Sequence, residues 1–445
     1  VRRTDRLATL TAAAEDALRH ASTADASTRW LYPYDGTVFP QGLAAPELMW
    51  DGAAAGDAVR VHFHADLADI ETFAIVAPPA RFALRRDRWD TVTSVGGRVE
   101  LTVDRLGPGA STATHVVTQH WTIAPAPLPG VLYYQAGGGR VVRLRPGALG
   151  IEEFLTPGAC HECHAVSADG TTLILGGDEA ISTYDLTRDV AVFDSTSVGI
   201  PLREWAVAGV SRDGRFLLEN NAPIIGPIGG QAGLFRTMDG ARVAAPGVDG
   251  VLFDMPAFSP DGTLLAFVDH ATHDLGVLDF DASSPRASGQ RTIALAGADH
   301  DLNAIAFPTV SPMADAVAYH RGRYPDSIDT RNGPGTLFLT RLGAGPAEVR
   351  LAAATGDGLG ARDVALSYMP FFAPTDAGGY AWIAFVSRRT YGNRLEGTAN
   401  MVKQLWIAAI DSPPEAIDPS HPAFWLPGQE LDRLNGEPRW AAVPP

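Results

Sequence analysis

One short phrase returns along this chain, and it constrains the fold more than any other feature. Ala165-Val166-Ser167-Ala168-Asp169-Gly170 recurs as Gly209-Val210-Ser211-Arg212-Asp213-Gly214 and as Ala257-Phe258-Ser259-Pro260-Asp261-Gly262. Each copy leads into an apolar run such as Thr263-Leu264-Leu265-Ala266-Phe267, and weaker copies stand at Thr309-Val310-Ser311-Pro312 and Phe371-Phe372-Ala373-Pro374. The spacing, about 40 to 60 residues, is the size of a four-stranded propeller blade with variable loops. Asp-Gly supplies the tight turn between the first two strands of a blade. A third strand is expected at Ile181–Leu186 in one copy and Leu275–Phe280 in another. Blades then start near residues 164, 206, 254, 306 and 368. An open edge strand invites aggregation, so the ring must close. Glu437-Pro438-Arg439-Trp440 is expected to begin a sixth blade, completed by Val131–Tyr134 and Arg140–Leu144. Seven blades is the fallback.

The rest of the chain agrees with an all-β fold. Gly 46 and Pro 33 punctuate short apolar runs, and 46% apolar content with 19% charge allows a proper core. The chain divides into an N-terminal helical arm at 1–28, a β-sandwich of immunoglobulin type at 29–126, and the propeller at 127–445. Residues 6–22 read as one amphipathic helix at a mobile end. Val59-Arg60-Val61-His62-Phe63-His64 and Arg98–Val103 alternate with period two, as half-buried strands do. His62 and His64 could pair on a metal with Asp66, but a solvated strand face explains them better. Pro125-Ala126-Pro127-Leu128-Pro129-Gly130 reads as a stiff linker.

Both cysteines of the chain lie in Cys160-His161-Glu162-Cys163-His164. CxxCH is the attachment pattern of a c-type haem: two thiols three positions apart meet the two vinyl groups of one porphyrin. Cys160 and Cys163 are thus expected to carry thioether links to one covalent haem c, with His164 as the proximal iron ligand. Zinc fits poorly, because four ligands within five residues cannot reach the corners of one tetrahedron. A disulfide here would close too small a loop to constrain much. A redox dithiol and a fortuitous pair remain as alternatives.

Aligned on the repeat serine, Cys163 corresponds to Val207, Met255, Phe307, Met369 and Glu437, positions expected to ring one mouth of the central channel. A distal ligand must come from that face. Met255 ranks first and Met369 next, then His300 and His320, while His270, His273 and Met401 belong to the same face. Met313 and Met238 fall at turns of the opposite face, and Met49 in the sandwich.

The repeats resemble TolB-like propellers, whose hallmark Ser-Pro-Asp-Gly is matched in full by Ser259–Gly262. The chain after Trp30 is also similar to exported bacterial proteins that join a sandwich, one CxxCH and such a propeller. That resemblance rests on Ser387-Arg388-Arg389-Thr390-Tyr391-Gly392 and on Pro422–Pro427. It implies an exported haem protein, in the periplasm or outside the cell; haem attachment to CxxCH outside the bacterial cytoplasm in turn leads one to expect a processed start, trimmed or once lipid-anchored.

Formal charge is 35 − 51 = −16, and Lys403 is the single lysine. Such a balance disfavours nucleic acid and suits a redox partner with a basic docking patch. No run of eighteen apolar residues spans a bilayer. An exported monohaem cytochrome that transfers electrons is therefore expected, possible as a homo-oligomer or larger assembly. The alternatives are a propeller binding or assembly module with a structural or sensory haem, and a peroxidase-like haem enzyme. No Gly-x-Ser-x-Gly, Walker or HExxH pattern argues for other catalysis.

Overall fold

A computed structural model describes residues 1–137, 139–153, 155, 163–177, 180–194, 208–219, 233–297, 303–322, 333–343, 347–359, 363–395 and 402–444. It is all-β in character. Six sheets follow one another from Val131 to Ala441, and in five of them four strands are paired in chain order. Their innermost strands are Cys163–Val166, Gly209–Val210, Phe253–Phe258, Ala304–Val310 and Ser367–Phe372. The sixth sheet pairs Asn435–Ala441 with Val131–Ala136, which pairs in turn with Arg140–Leu144. Each innermost strand touches the next, and Asn435–Ala441 also lies against Cys163–Val166. Blades in sequence around a shared centre make a β-propeller. The pairing expected between the two ends of this segment is present.

The repeat phrase has a plain physical role. Ser167, buried, donates to Asp169 Oδ1 at 2.7 Å and accepts from the Thr172 N–H at 2.9 Å. Ser211 does the same with Asp213 and Phe216, and Ser311 with Asp315 and Ala316. One hydroxyl thus staples both ends of a turn whose backbone groups would otherwise be orphaned. The turn needs a left-handed residue. Gly170, Gly214 and Gly262 supply it at φ 76°, 70° and 80°, and a Cβ on Gly170 would come within 2.1 Å of the Ala442 carbonyl oxygen.

Residues before Val131 form two sheets. The larger is ordered Arg2–Arg6, Ala68–Val76, Asp57–Ala65, Gly97–Leu106, Thr114–Pro127 and Val38–Gln41, and the smaller holds Arg29–Tyr32, Glu47–Asp51 and Ala80–Ala83. Their apolar faces share one core that includes Trp50, Trp89 and Trp121. Val59, Val61 and Phe63 are buried as their alternation requires, while His64 is exposed.

Two expectations need correction. The N-terminal arm is not one helix over 6–22: Arg2–Arg6 is a strand paired in parallel with Asp69–Phe73, and only Ala12–Arg19 is helical. Thr11 caps that helix through the Ala14 N–H, and Arg6 and Arg19 both reach Glu15. Those contacts favour a helix start at residue 12 and dock the arm. The proline-rich stretch is not a separate linker either, because the strand Thr114–Pro127 runs through it. Beyond Ile123 the strand keeps a neighbour on only one side, where proline is tolerated.

The N-terminal unit packs on the fifth and sixth blades. Phe39 meets Phe424 at 5.3 Å between ring centres, and Tyr32 meets Tyr391 at 5.0 Å. Arg81 donates to Asn393 Oδ1 at 2.6 Å, and Arg394 pairs with Glu47 at 2.7 Å.

Candidate functional site

Four innermost strands share a device at the residues equivalent to Cys163. Met255, Phe307, Met369 and Glu437 all have left-handed backbone, with φ between 46° and 52°, and each precedes a proline. At each one the pairing slips, so that two residues oppose one: a β-bulge. Proline fits there because a bulged residue needs no ladder N–H.

The strand Cys163–Val166 breaks the pattern. Histidine stands where the others have proline, and pairing is regular, with Cys163 opposite Gly176 and His164 opposite Leu175. Cys160, His161 and Glu162 lie outside the described residues. The regular strand sends the His164 ring into the interior between the first and sixth blades, where it is wholly buried. Arg439 donates through Nε to the His164 carbonyl at 3.2 Å and through Nη2 to the Glu437 carboxylate at 2.7 Å. The backbone of Tyr133 and of Glu437 runs alongside the ring and mildly favours its proton. Neither ring nitrogen has a hydrogen-bond partner among the described residues. Burial, reinforced by the Arg439 charge, pushes the imidazole down to about 3.

A neutral, buried imidazole without a well-formed hydrogen bond among the described residues is costly as it stands, since both nitrogens are shut off from solvent. It is also the state in which histidine ligates a metal, through the lone pair of its unprotonated nitrogen. His164 would therefore fit the ligand role that the CxxCH motif assigns to its histidine. Which nitrogen carries the proton is open to whatever binds it.

Three of the four ranked distal candidates lie in one network. Met255 Sδ accepts from the Phe307 N–H at 3.2 Å. The Phe307 ring stacks on the His320 ring at 5.7 Å, and His320 Nδ1 accepts from the Met369 N–H at 3.2 Å. Met255, Met369 and His320 are all buried. His300 and Met401 lie outside the described residues. His270 pairs with Asp254 at 3.0 Å, and Met238 and Met313 are exposed at turns. The central channel, lined by Ala165, Gly209, Pro256, Thr309 and Phe371 among others, encloses about 50 Å³. That admits a few waters and is too small for a porphyrin.

Sequence reading missed the shell around His164. Tyr133, Glu437 and Arg439 come from the two chain ends that build the sixth blade, some 275 residues from His164 in the case of Arg439. The signal was the sixth-blade pairing itself, which places Asn435–Ala441 beside the strand that bears the motif.

No known family matches this chain, and no curated protein matches it. Among solved structures it is similar to TolB from Acinetobacter baumannii, at 11% identity over 78% of this chain and 80% of that one, with a TM-score of 0.45. It is similar also to a putative TolB from Agrobacterium tumefaciens (13% identity; 71% and 99% covered; TM-score 0.37). A third is hydrazine synthase from Kuenenia stuttgartiensis (16% identity; 64% and 77% covered; TM-score 0.37). The propeller assignment rests on the strand order above, and these likenesses add no function to it. Among the described residues, no helix is long and apolar enough to cross a membrane.

Proposed function

We propose that this chain is an exported monohaem c-type cytochrome that passes electrons to or from another redox protein. The observation that carries the reading is His164: the histidine of CxxCH is held buried and neutral, with no well-formed hydrogen bond to either ring nitrogen among the described residues. Cys160 and Cys163 would hold the haem by thioether links and His164 would be its proximal ligand. Met255 is the first choice of distal ligand, followed by Met369, His300 and His320. When bound, the haem supplies one-electron chemistry at the iron.

The chain's own residues define the setting. Arg439 anchors the His164 backbone and places a positive charge near the ring, which favours the electron-rich form of anything bound there. The bulged, proline-fixed strands hold the channel mouth rigid, so that little rearranges when charge changes. The formal charge of −16 would speed encounter with a basic partner at low salt. Export to the periplasm or beyond goes with this reading, because covalent attachment to CxxCH takes place outside the bacterial cytoplasm. With it goes the finer fold reading of an immunoglobulin-type sandwich followed by six TolB-like blades.

A redox titration followed by visible spectroscopy tests the proposal. A six-coordinate, low-spin iron with one reversible one-electron step is expected. A high-spin iron that turns over peroxide would replace electron transfer with an enzyme. A haem whose removal unfolds the chain but which exchanges electrons with nothing would leave a binding module.

A further inference from the structure

A groove of about 910 Å³ runs between the N-terminal unit and the connections of the fourth and fifth blades. Clefts of this size at domain junctions are where small ligands usually bind. Its walls combine aromatic faces with hydrogen-bonding groups. Trp30 is half-buried there, stacked on Trp50 at 6.1 Å and 5°, and its Nε1–H donates to the Pro33 carbonyl at 2.6 Å. The ring is thus locked before any ligand arrives, with Trp50 covering one side. Tyr34 lies nearby, stacked on Trp406 at 6.2 Å, and burial pushes its hydroxyl up to about 12, so it stays a donor at every working pH.

The carboxylates of the groove already have partners. Asp51 pairs with Arg29 at 2.6 Å. Asp35 accepts the His120 N–H at 2.6 Å. Asp363 accepts from the Thr390 N–H and hydroxyl at 2.8 and 2.9 Å and faces the buried Arg389 guanidinium. That guanidinium has no carboxylate in ion-pair contact among the described residues and is held by the Ala354 and Thr355 carbonyls at 2.7 and 2.9 Å. Two of the three carboxylates thus face a cation already and give a cationic ligand little to gain. Such pairs still offer acceptors and donors together, which suits a ligand rich in neutral hydroxyls. A fixed aromatic plate suits its C–H face.

We propose that this groove binds a neutral saccharide, with Trp30 as the stacking plate and Asp363 and Asp35 accepting sugar hydroxyls. The proposal stands apart from the haem reading and uses none of its residues.

Calorimetric titration of the full chain with cellohexaose, xylohexaose, maltohexaose and chitohexaose tests it. Saturable binding of at least one is expected, unchanged when sodium chloride is raised from low to high concentration. Trp30→Ala and Asp363→Asn should each weaken it by about tenfold or more. If Trp30→Ala fails to fold, Asp363→Asn, checked by its melting temperature, decides alone. No binding of any of the four, or binding that survives the decisive variant, overturns the proposal. So does a groove that takes hexalysine in a salt-dependent manner while rejecting all four sugars.

Discussion

The first two blades and the last four are built on one repeat, yet their innermost strands begin in different ways. The last four begin with a left-handed residue and a proline, and their bulged strands are lined by Met255, Phe307, Met369 and the Arg439-paired Glu437. In the first two, Cys163-His164 and Val207-Ala208 stand at those positions. Buried polar atoms without a well-formed hydrogen bond among the described residues occur in both sets of blades: His164 and Glu219 in the first two, Arg389 Nη1 and Asn435 Oδ1 in the others. Stability alone would remove such groups, because an unsatisfied buried polar atom costs about 1–3 kcal/mol. The difference teaches that a blade of this fold can do without the proline of the other four, and the CxxCH motif opens one of the two blades that lack it.

The largest effect that bears on this contrast concerns the thiols. Cys160→Ala with Cys163→Ala is expected to abolish covalent haem altogether while leaving the propeller folded, checked by intact mass and circular dichroism. Next comes packing in the bulged half: Met255→Ala should cost about 2–5 kcal/mol by chemical denaturation, as large-to-small core changes do. In the haem-loaded chain the same change should remove the sulfur-to-iron absorption band at the red end of the spectrum. Retention of the band would shift the ligand to Met369.

The pH dependence sharpens the comparison from the other side. Burial pushes the Glu219 carboxyl up to about 7, with no charged partner opposing it among the described residues. A raised folded value means the native state holds the proton more tightly than the unfolded chain. This contribution is full below the unfolded carboxyl value and is lost as pH rises through about 7. Glu219→Gln should therefore gain on the order of 3 kcal/mol over the parent at pH 8 and nearly nothing at pH 4, measured by urea melts. His164 in the haem-free chain has the opposite sign. Its lowered value makes stability fall as pH drops from the ordinary histidine range towards about 3. The smallest effect is at the surface, where Arg394→Ala breaks an ion pair to Glu47 and should cost under about 1 kcal/mol.

Much of the propeller was legible because its repeat is local. Ser, Asp and Gly within six residues make a turn by themselves, so the blade starts could be read directly. The sixth blade was legible only as a requirement for closure, and the Asn435–Ala441 pairing with Val131–Ala136 met it. The arm was misread because Arg2–Arg6 has no apolar alternation. It is a strand through parallel pairing and through the Arg88–Asp5 contact at 2.6 Å, neither of which sequence displays. The prolines after Met255 and Met369 were visible, but the left-handed bulges they accompany were not, since φ is set by the strand opposite. CxxCH named the chemistry, whereas the closed pocket around His164 depends on residues from both chain ends. The groove at Trp30 was illegible for the same reason: its walls come from six separated stretches of the chain.

The most direct test of the account is the intact mass of the chain produced in a host that attaches c-type haem, read with its alkaline pyridine spectrum. A mass greater than the polypeptide by one haem, with the spectrum of a porphyrin bound through two thioethers, is the predicted result. A colourless protein with the mass of the bare polypeptide would contradict it and leave a propeller whose buried His164 serves some other end.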